Sequence, residues 1–159
     1  MIKQGDFLDC DESLALLSLL GAVSAGVRQE IPVGAVLRDQ WGRILAQSGN
    51  SPISQNDPLG HAEIIAMRQA SQRIANYRLG NTHMTVSLEP CPLCMEALTM
   101  ARVSEVSYLS DRTTSVTSDS KKLLNVESLK DEQKVPGGGS LKKVSAQILR
   151  FFFARRRGI

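Results

Sequence analysis

The residues with the clearest chemical potential lie in two short motifs, HAE at 61–63 and PCPLC at 90–94. One imidazole and two thiolates can hold a zinc ion, and three protein ligands leave the fourth tetrahedral position to water. That open position separates a catalytic zinc from a structural one. Zinc lowers the pKa of such a water toward ~7, and the nearby Glu63 carboxylate can move its protons. The motifs therefore predict a catalytic centre with one Zn²⁺ per subunit, bound by His61, Cys91 and Cys94.

Two other interpretations of these cysteines have less support. A closed structural zinc site needs a fourth ligand, and Cys10 and His83 are the remaining cysteine and histidine. Cys10 lies in a polar N-terminal stretch, and His83 lies in a predicted strand. A C-x-x-C pair also occurs in thioredoxin-like redox sites. Its combination with H-x-E, in this order, favours the open zinc site.

The predicted secondary structure places both motifs at helix starts. One helix is expected from His61 to about Ile74 and another from Cys91 to about Arg102. Helix N-termini offer free N–H groups and partial positive charge, which favour thiolates and anionic intermediates. Glu63 follows His61 by two residues, roughly 200° around a regular helix. We therefore expect Glu63 to approach the open side of the metal rather than to bind it.

The rest of the chain alternates helices and strands. A helix capped by Asp11 or Ser13 is predicted to run to about Gln29, and the polar segment 110–140 is expected to be part short helix and part loop. Strands are predicted over 32–37, 44–48, 84–88 and 103–109, and a last helix over 141–157. This order predicts an α/β fold, a three-layer α/β/α sandwich with a central mixed sheet. Residues 1–159 are expected to form a single domain that ends in a basic helix.

Charge is distributed unevenly along the chain, whose formal net charge is +3. Residues 133–159 include seven Lys or Arg and no Asp or Glu, whereas residues 1–132 hold twelve basic and sixteen acidic residues, a net charge of −4. Such asymmetry suggests an anionic partner, nucleic acid first. Basic residues also complement the dipole at a helix C-terminus, but three consecutive arginines exceed that need. We expect RNA contacts from Arg155, Arg156 and Arg157.

Composition indicates a globular protein, with 42% hydrophobic and 22% charged residues. Two of the three cysteines belong to the metal motif. We therefore expect no disulfide framework and a reducing, cytoplasmic location. The apolar run 14–23 contains Ser18 and is shorter than the ~20 residues of a membrane span, so no membrane association is expected.

Several segments together resemble the bacterial tRNA-specific adenosine deaminases of the cytidine/deoxycytidylate deaminase superfamily. The H-x-E and P-C-x-x-C pair alone identifies only the superfamily. The tRNA enzymes are indicated by NYRL at 76–79 and FFARR at 152–156, within a resemblance that runs from about residue 12 to 157. It implies a cytidine-deaminase-like fold and a homodimer that acts on the tRNA anticodon loop. The implied reaction is hydrolytic deamination of adenosine to inosine at the wobble position.

The resemblance also implies roles for individual residues. Glu63 would carry protons from zinc-activated water to the ring nitrogen and the leaving amine. Asn50 would hydrogen-bond the flipped nucleoside and the Ala62 amide the base edge, while Ile31 and Val33 would pack on the base. Without the resemblance, Asn50 after a glycine also fits an ordinary loop turn. At least one of the phenylalanines at 151–153 fits core packing, since three adjacent residues cannot share a helix face.

One segment departs from the family pattern. After the fourth predicted strand, the tRNA deaminases have a Gly-Ala-Arg-Asp-like segment and then a glycine-rich loop, whereas this chain reads LSDRTTSV at 109–116. Asp111 and Arg112 stand in reversed order, and the glycines are absent. Since this region lies beside the substrate in the family, the change leaves the chemistry intact but opens the choice of substrate.

Two alternatives to a tRNA adenosine deaminase stay open. A deaminase of a free nucleobase or nucleoside, of guanine or cytosine type, would use the same zinc motif but would not need the basic tail. A non-catalytic, zinc-bearing RNA-binding subunit would have no use for Glu63. The tail and the glutamate together favour the tRNA enzyme.

Overall fold

The computed structural model of the protein describes residues 10–112, 133–134 and 139–156. In it, a mixed sheet lies between two layers of helices. The strands are β1 (Gly34–Asp39), β2 (Ile44–Gly49), β3 (Thr82–Leu88), β4 (Glu105–Ser110) and β5 (Gln133–Lys134). They lie in the order β2-β1-β3-β4-β5. β1 is antiparallel to β2 and β3, and β4 is parallel to β3 and β5. The predicted α/β/α sandwich around a mixed sheet is confirmed.

Helices cover both faces of this sheet. They are α1 (Cys10–Val27), α2 (Pro52–Gln55), α3 (Ala62–Ile74), α4 (Pro92–Met100) and α5 (Gly139–Arg156). α1 and α5 pack together on one face, and α3 and α4 on the other. The main apolar core, which includes Leu37, Met84 and Leu98, lies between the sheet and α3 and α4. Among the described residues, no helix is long and apolar enough to cross a membrane.

Glycines let α1 approach the sheet closely. A Cβ at Gly34 of β1 would collide with the backbone carbonyl oxygen of Ser18, and one at Gly21 would collide with that of Ser48. Helix backbone and strand backbone therefore touch directly. This contact holds the chain between α1 and β1, residues 28–33, against the sheet beside the site described below.

The boundaries of the predicted elements differ from the observed ones by a few residues, and two elements were not predicted. The short helix α2 lies in the segment after β2, which the sequence indicated as loop. The two-residue strand β5 lies within the segment 110–140, most of which falls outside the described residues. Neither element has enough residues to display a hydrophobic period.

Candidate active site

The N-termini of α3 and α4 bring three metal-binding side chains together. His61 is the N-cap of α3 and Cys91 that of α4, where Pro92 occupies the first turn. His61 Nδ1 lies 3.5 Å from Cys91 Sγ and 3.4 Å from Cys94 Sγ, and the two sulfurs are 3.4 Å apart. Tetrahedral zinc, with bonds of ~2.3 Å to sulfur and ~2.0 Å to nitrogen, spaces such atoms by roughly 3.5–3.8 Å. The three ligands fit zinc after a small outward adjustment.

A closed structural zinc site would need a fourth ligand, and the part of the chain that the structure describes offers none near the cluster. There, the only cluster of histidine, cysteine and carboxylate groups suited to a metal consists of His61, Cys91 and Cys94. His83 lies in β3, where its Nδ1 is 3.0 Å from Arg38 and its Nε2 is 2.8 Å from Ser107. A zinc ion held by these three residues would keep a coordination position for water, and His61 and Cys91 line the adjoining cavity.

Hydrogen bonds within the cluster shift the pKa values of its members. A hydrogen bond between the Cys91 and Cys94 sulfurs, assisted by His61 and opposed by burial, lowers the pKa of Cys91 to about 3. The same bond, together with burial, raises the pKa of Cys94. Hydrogen bonding to Cys91 also raises the pKa of His61, although burial opposes the shift. The cluster thus holds one ready thiolate, and metal binding releases the remaining protons.

Glu63 lies in the first turn of α3 and lines the same cavity as His61. Its side chain is almost fully buried, with 4% exposure. Burial raises the pKa of the Glu63 carboxyl, and the neighbouring Cys91 raises it further. The carboxylate is not part of the ligand cluster. A buried carboxyl with a raised pKa beside an open metal position is suited to exchange protons.

Asn50 and Ala62 are joined by a hydrogen bond at the start of α3. The Ala62 N–H donates to Asn50 Oδ1 at 2.9 Å, which satisfies one of the free donors of the helix N-terminus. The Ala62 amide is therefore already engaged, and the residue itself is fully buried. Because an N–H donor must face the amide oxygen, the orientation of Asn50 is fixed. Its NH₂ group has no partner among the described residues and remains available in the cavity.

Buried polar contacts hold the segment that carries Asn50. Arg28 Nη2 donates to the Asn50 carbonyl oxygen at 3.2 Å. Glu30, only 1% exposed, accepts N–H bonds from Ser54 at 2.7 Å and Ile53 at 3.3 Å, at the N-terminus of α2. Burial opposes ionisation of Glu30, but these hydrogen bonds outweigh it and lower its pKa. Two charged side chains from the end of α1 thus fix the cavity wall.

A cavity of about 270 Å³ adjoins the ligands. This volume lies just below the ~300 Å³ at which pockets for drug-sized ligands begin, so it suits a ligand the size of one nucleoside. A larger groove of about 590 Å³ lies between α1 and α5, away from the metal cluster. The small cavity is lined by Asn50, His61, Glu63, Glu89, Cys91 and Arg112 and, on its apolar side, by Ile31, Val33, Leu88, Leu149 and Phe153.

The C-terminal helix α5 closes one side of this cavity. Ser145 Oγ donates to the Ser87 carbonyl oxygen at 2.6 Å, and Lys142 Nζ lies 3.1 Å from Asp111 Oδ2. These contacts attach α5 to the ends of β3 and β4. They place Leu149, 1% exposed, and Phe153 one turn apart at the cavity wall.

The zinc-binding region of the cytidine and deoxycytidylate deaminases, as a family model, matches residues 9–110 of this sequence. The chain belongs to this deaminase family. The matched region is the zinc-binding region of the family, and the His-Cys-Cys cluster of this deaminase is positioned to bind the ion.

Similarity to individual proteins extends beyond the zinc region. The deaminase is 35% identical over 147 residues to the tRNA-specific adenosine deaminase of Haemophilus influenzae, covering 92% of this chain and 85% of that one. A solved structure from studies of A-to-I editing by tRNA:A34 deaminases at the wobble position of transfer RNA is 39% identical, with a TM-score of 0.61, and the match covers 63% of this chain and 75% of that one. Guanine deaminase from Bacillus subtilis is 32% identical in sequence, with a TM-score of 0.61, and covers 64% and 65%.

Most of the site residues predicted for the deaminase meet at the cavity. Ile31, Val33 and Asn50 line it as expected, whereas Ala62 lies behind Asn50. The basic tail lies elsewhere on α5. Arg155 is exposed, Arg156 Nη2 donates to the Gln29 carbonyl oxygen at 2.9 Å, and Arg157 lies outside the described residues.

The sequence analysis did not identify five residues that line the cavity, Leu88, Glu89, Arg112, Leu149 and Phe153. Leu149 and Phe153 are four positions apart on the predicted last helix, and this spacing marks them as sharing a face. Arg112 belongs to the segment that departs from the family pattern, but the sequence does not show whether its side chain turns toward the cavity. Glu89 carried no local signal, since its partner Arg112 lies beyond the next helix and strand.

Proposed function

We propose that this deaminase converts adenosine to inosine at the wobble position of tRNA, with one zinc ion held by His61, Cys91 and Cys94. The observation that carries the proposal is the alignment with the Haemophilus influenzae tRNA-specific adenosine deaminase. Its 147 residues extend well beyond the zinc motif. We further propose that residues 1–159 form a single deaminase domain and that the enzyme works in the cytoplasm, where its substrate is processed.

The cavity walls would hold a flipped adenosine. Ile31, Val33 and Phe153 supply apolar surface for a planar base. The NH₂ group of Asn50, whose oxygen is fixed by Ala62, donates to an acceptor on the nucleoside. In this proposal the Ala62 N–H orients Asn50 through their hydrogen bond. It would contact the base edge only by sharing its hydrogen between Asn50 Oδ1 and the base. The cavity has room for one nucleoside, which agrees with a mechanism in which only the target base is flipped out of the RNA and enters the site.

Glu63 would move the protons of the reaction. Zinc, when bound, supplies Lewis-acid activation of water near neutral pH. Glu63 would remove a proton as water adds to C6 of adenine and deliver it to the ring nitrogen; it would then take the proton of the C6 hydroxyl and give it to the departing amine. Adenosine and water thereby give inosine and ammonia. The raised pKa of Glu63 suits a group that must both accept and return protons.

We also propose that the enzyme is a homodimer. Apolar side chains are exposed at the C-terminal ends of α3 and α4, where Ile74, Tyr77 and Met100 are 40%, 68% and 73% exposed. Such surface is typical of an interface between subunits. Sedimentation of the zinc-loaded protein at several concentrations would test the dimer, and substitution of Met100 by Lys should shift it toward the monomer.

One experiment tests the proposed reaction. Zinc-loaded protein is incubated with total tRNA, and inosine in the RNA digest and released ammonia are measured. We expect equal amounts of both products and none from a Glu63→Gln variant that retains zinc. Wild-type protein that yields no inosine from tRNA would refute the proposal.

A guanine deaminase is the second candidate, favoured by the similarity to the Bacillus subtilis enzyme. It predicts xanthine and ammonia from free guanine, with no inosine from tRNA. Parallel assays with guanine, cytosine and their nucleosides separate the two functions, because each leaves a different base product. A protein that binds zinc and RNA but releases no ammonia in any assay would instead be a non-catalytic RNA-binding subunit.

A further inference from the structure

Arg112 lines the metal-site cavity, yet neither the motifs nor the proposed reaction assigns it a task. It lies two residues after the end of β4 and is partly buried. Its guanidinium forms no hydrogen bond or ion pair within the part of the chain that the structure describes. It lies near enough to His61 for its positive charge to oppose protonation of that imidazole. The cavity therefore carries an arginine whose guanidinium has no partner among the described residues.

The backbone of Arg112 is held in place. Its N–H donates to Glu89 Oε2 at 2.7 Å, and the N–H of Glu89 donates to the carbonyl oxygen of Ser110 at 2.8 Å. The preceding residue, Asp111, is paired with Lys142 of α5. These bonds connect Arg112 rigidly to the strand end that leads to the metal ligand Cys91. The fixed backbone keeps the base of the Arg112 side chain at the cavity wall.

The size of the cavity determines which part of the substrate this arginine meets. At about 270 Å³ the cavity takes one nucleoside, so the phosphates on either side of it must lie at the rim. In an RNA substrate the anions at that rim are the flanking phosphates, which guanidinium binds through paired N–H donors.

We infer that Arg112 binds a phosphate that flanks the target nucleoside and thereby selects a polynucleotide over a free base. The inference rests on the proposed function, because it takes the substrate to be RNA. Arg112 acts here as a specificity residue and takes no part in proton transfer. Glu89 also lines the cavity. It positions Arg112 by accepting a hydrogen bond from the backbone N–H of Arg112, not by contacting the guanidinium.

The test uses RNA hairpins in which a single methylphosphonate linkage replaces the charged phosphate on the 5′ or on the 3′ side of the target adenosine. With wild-type enzyme, one of these neutral linkages should lower kcat/KM about tenfold, as expected for a charge-assisted hydrogen bond at a partly exposed site. Arg112→Gln should lower kcat/KM about tenfold on the all-phosphate hairpin and should show no further loss with the neutral linkage. Arg112→Lys should recover part of the loss.

Salt dependence provides a second readout. Arg112→Gln should reduce the slope of log(kcat/KM) against log[salt] by about 0.7, the contribution of one single-strand phosphate. The matched control is Arg102→Gln, which removes the same charge at the exposed end of α4 remote from the cavity. Equal effects of both variants would mean that only overall charge matters, and this would overturn the inference.

The outcomes separate this inference from the proposed function. If wild-type enzyme produces no inosine from any hairpin, the proposed function fails, and the inference fails with it. If wild-type enzyme deaminates all three hairpins equally well, only the role of Arg112 is refuted. The same holds if Arg112→Gln, with full zinc content, responds to the neutral linkages as wild type does.

Discussion

The amide N–H of Ala62 donates to the side-chain oxygen of Asn50 across 2.9 Å, so the first turn of α3 determines which end of the Asn50 amide faces the cavity. The two halves of this side chain therefore have different tasks. The oxygen completes a helix N-terminus, and the NH₂ group is left for the substrate. Substitutions that change only one half distinguish these tasks.

Asn50→Asp should preserve the fold and reduce the activity. A carboxylate keeps the acceptor for Ala62 and is favoured by the helix dipole, but it has no donor for the nucleoside. We expect zinc content and Tm to equal or exceed those of wild type, while kcat/KM falls at least about tenfold. Asn50→Ala, which loses both halves, is the matched control and should also lower Tm. Full activity of Asn50→Asp would contradict the donor role.

Glu63→Gln should abolish turnover without loss of metal. The substitution retains the size of a side chain that is 4% exposed, but it cannot exchange protons. General acid–base catalysis contributes roughly 10²–10⁴-fold, so kcat should fall by at least this factor. Zinc is measured by atomic absorption, with Glu96→Gln on the exposed face of α4 as the control. Loss of zinc from Glu63→Gln would instead identify Glu63 as a ligand.

Cys91 should be an unusually reactive thiol once zinc is removed. In a Cys10→Ser background treated with a chelator, iodoacetamide should label Cys91, because its pKa of about 3 keeps it a thiolate near neutral pH. Its labelling rate should stay nearly constant between pH ~5 and ~8, whereas an ordinary thiol with pKa 9.0 gains about tenfold per pH unit. Zinc should protect it, and Cys91→Ser should lose the pH-independent labelling, because the remaining Cys94 is buried. A rate that rises tenfold per unit would refute the thiolate.

Local sequence predicted the metal cluster because each motif begins a helix. His61 and Cys91 are N-caps, so short-range geometry aims both side chains outward from the helix ends, and only the meeting of the two helices depends on the fold. Asn50 was predicted through the family resemblance, since a loop asparagine has no period. Glu30 and Arg112 could not be predicted. Glu30 is defined by partners 23 and 24 residues away, and Arg112 by one 23 residues back.

The basic tail should contribute to RNA binding unequally. Arg155 is exposed, whereas Arg156 bonds to the Gln29 carbonyl oxygen and stacks 5.1 Å over the Phe152 ring. Arg155→Gln should weaken tRNA binding and reduce the salt slope by about 0.7–0.9, with Tm unchanged. Arg156→Gln should also lower Tm, because it loosens α5 from the end of α1. Binding titrations at several salt concentrations measure both, and a salt slope unaffected by either variant would place the RNA elsewhere.

Glu30 should stabilise the fold in a pH-dependent manner. Its pKa is lowered from 4.5 in the folded protein, so its contribution is complete above that value and disappears as pH falls through the folded pKa. Glu30→Gln keeps one acceptor for Ser54 and Ile53 but loses the charge, which should cost about 1 kcal/mol near neutral pH. In a chain of this length, that corresponds to a Tm decrease of about 2–4 °C.

In urea titrations, the difference in unfolding free energy between wild type and Glu30→Gln should be unchanged at pH ~5 and should shrink at pH ~4 and below, because protonated Glu30 resembles glutamine. Loss of zinc at low pH affects both proteins and cancels in this difference. Glu96→Gln, an equal charge change on an exposed side chain, should show no such trend. A Glu30→Gln deficit that is constant with pH would mean that hydrogen-bond geometry, rather than the charge of Glu30, holds the segment bearing Asn50.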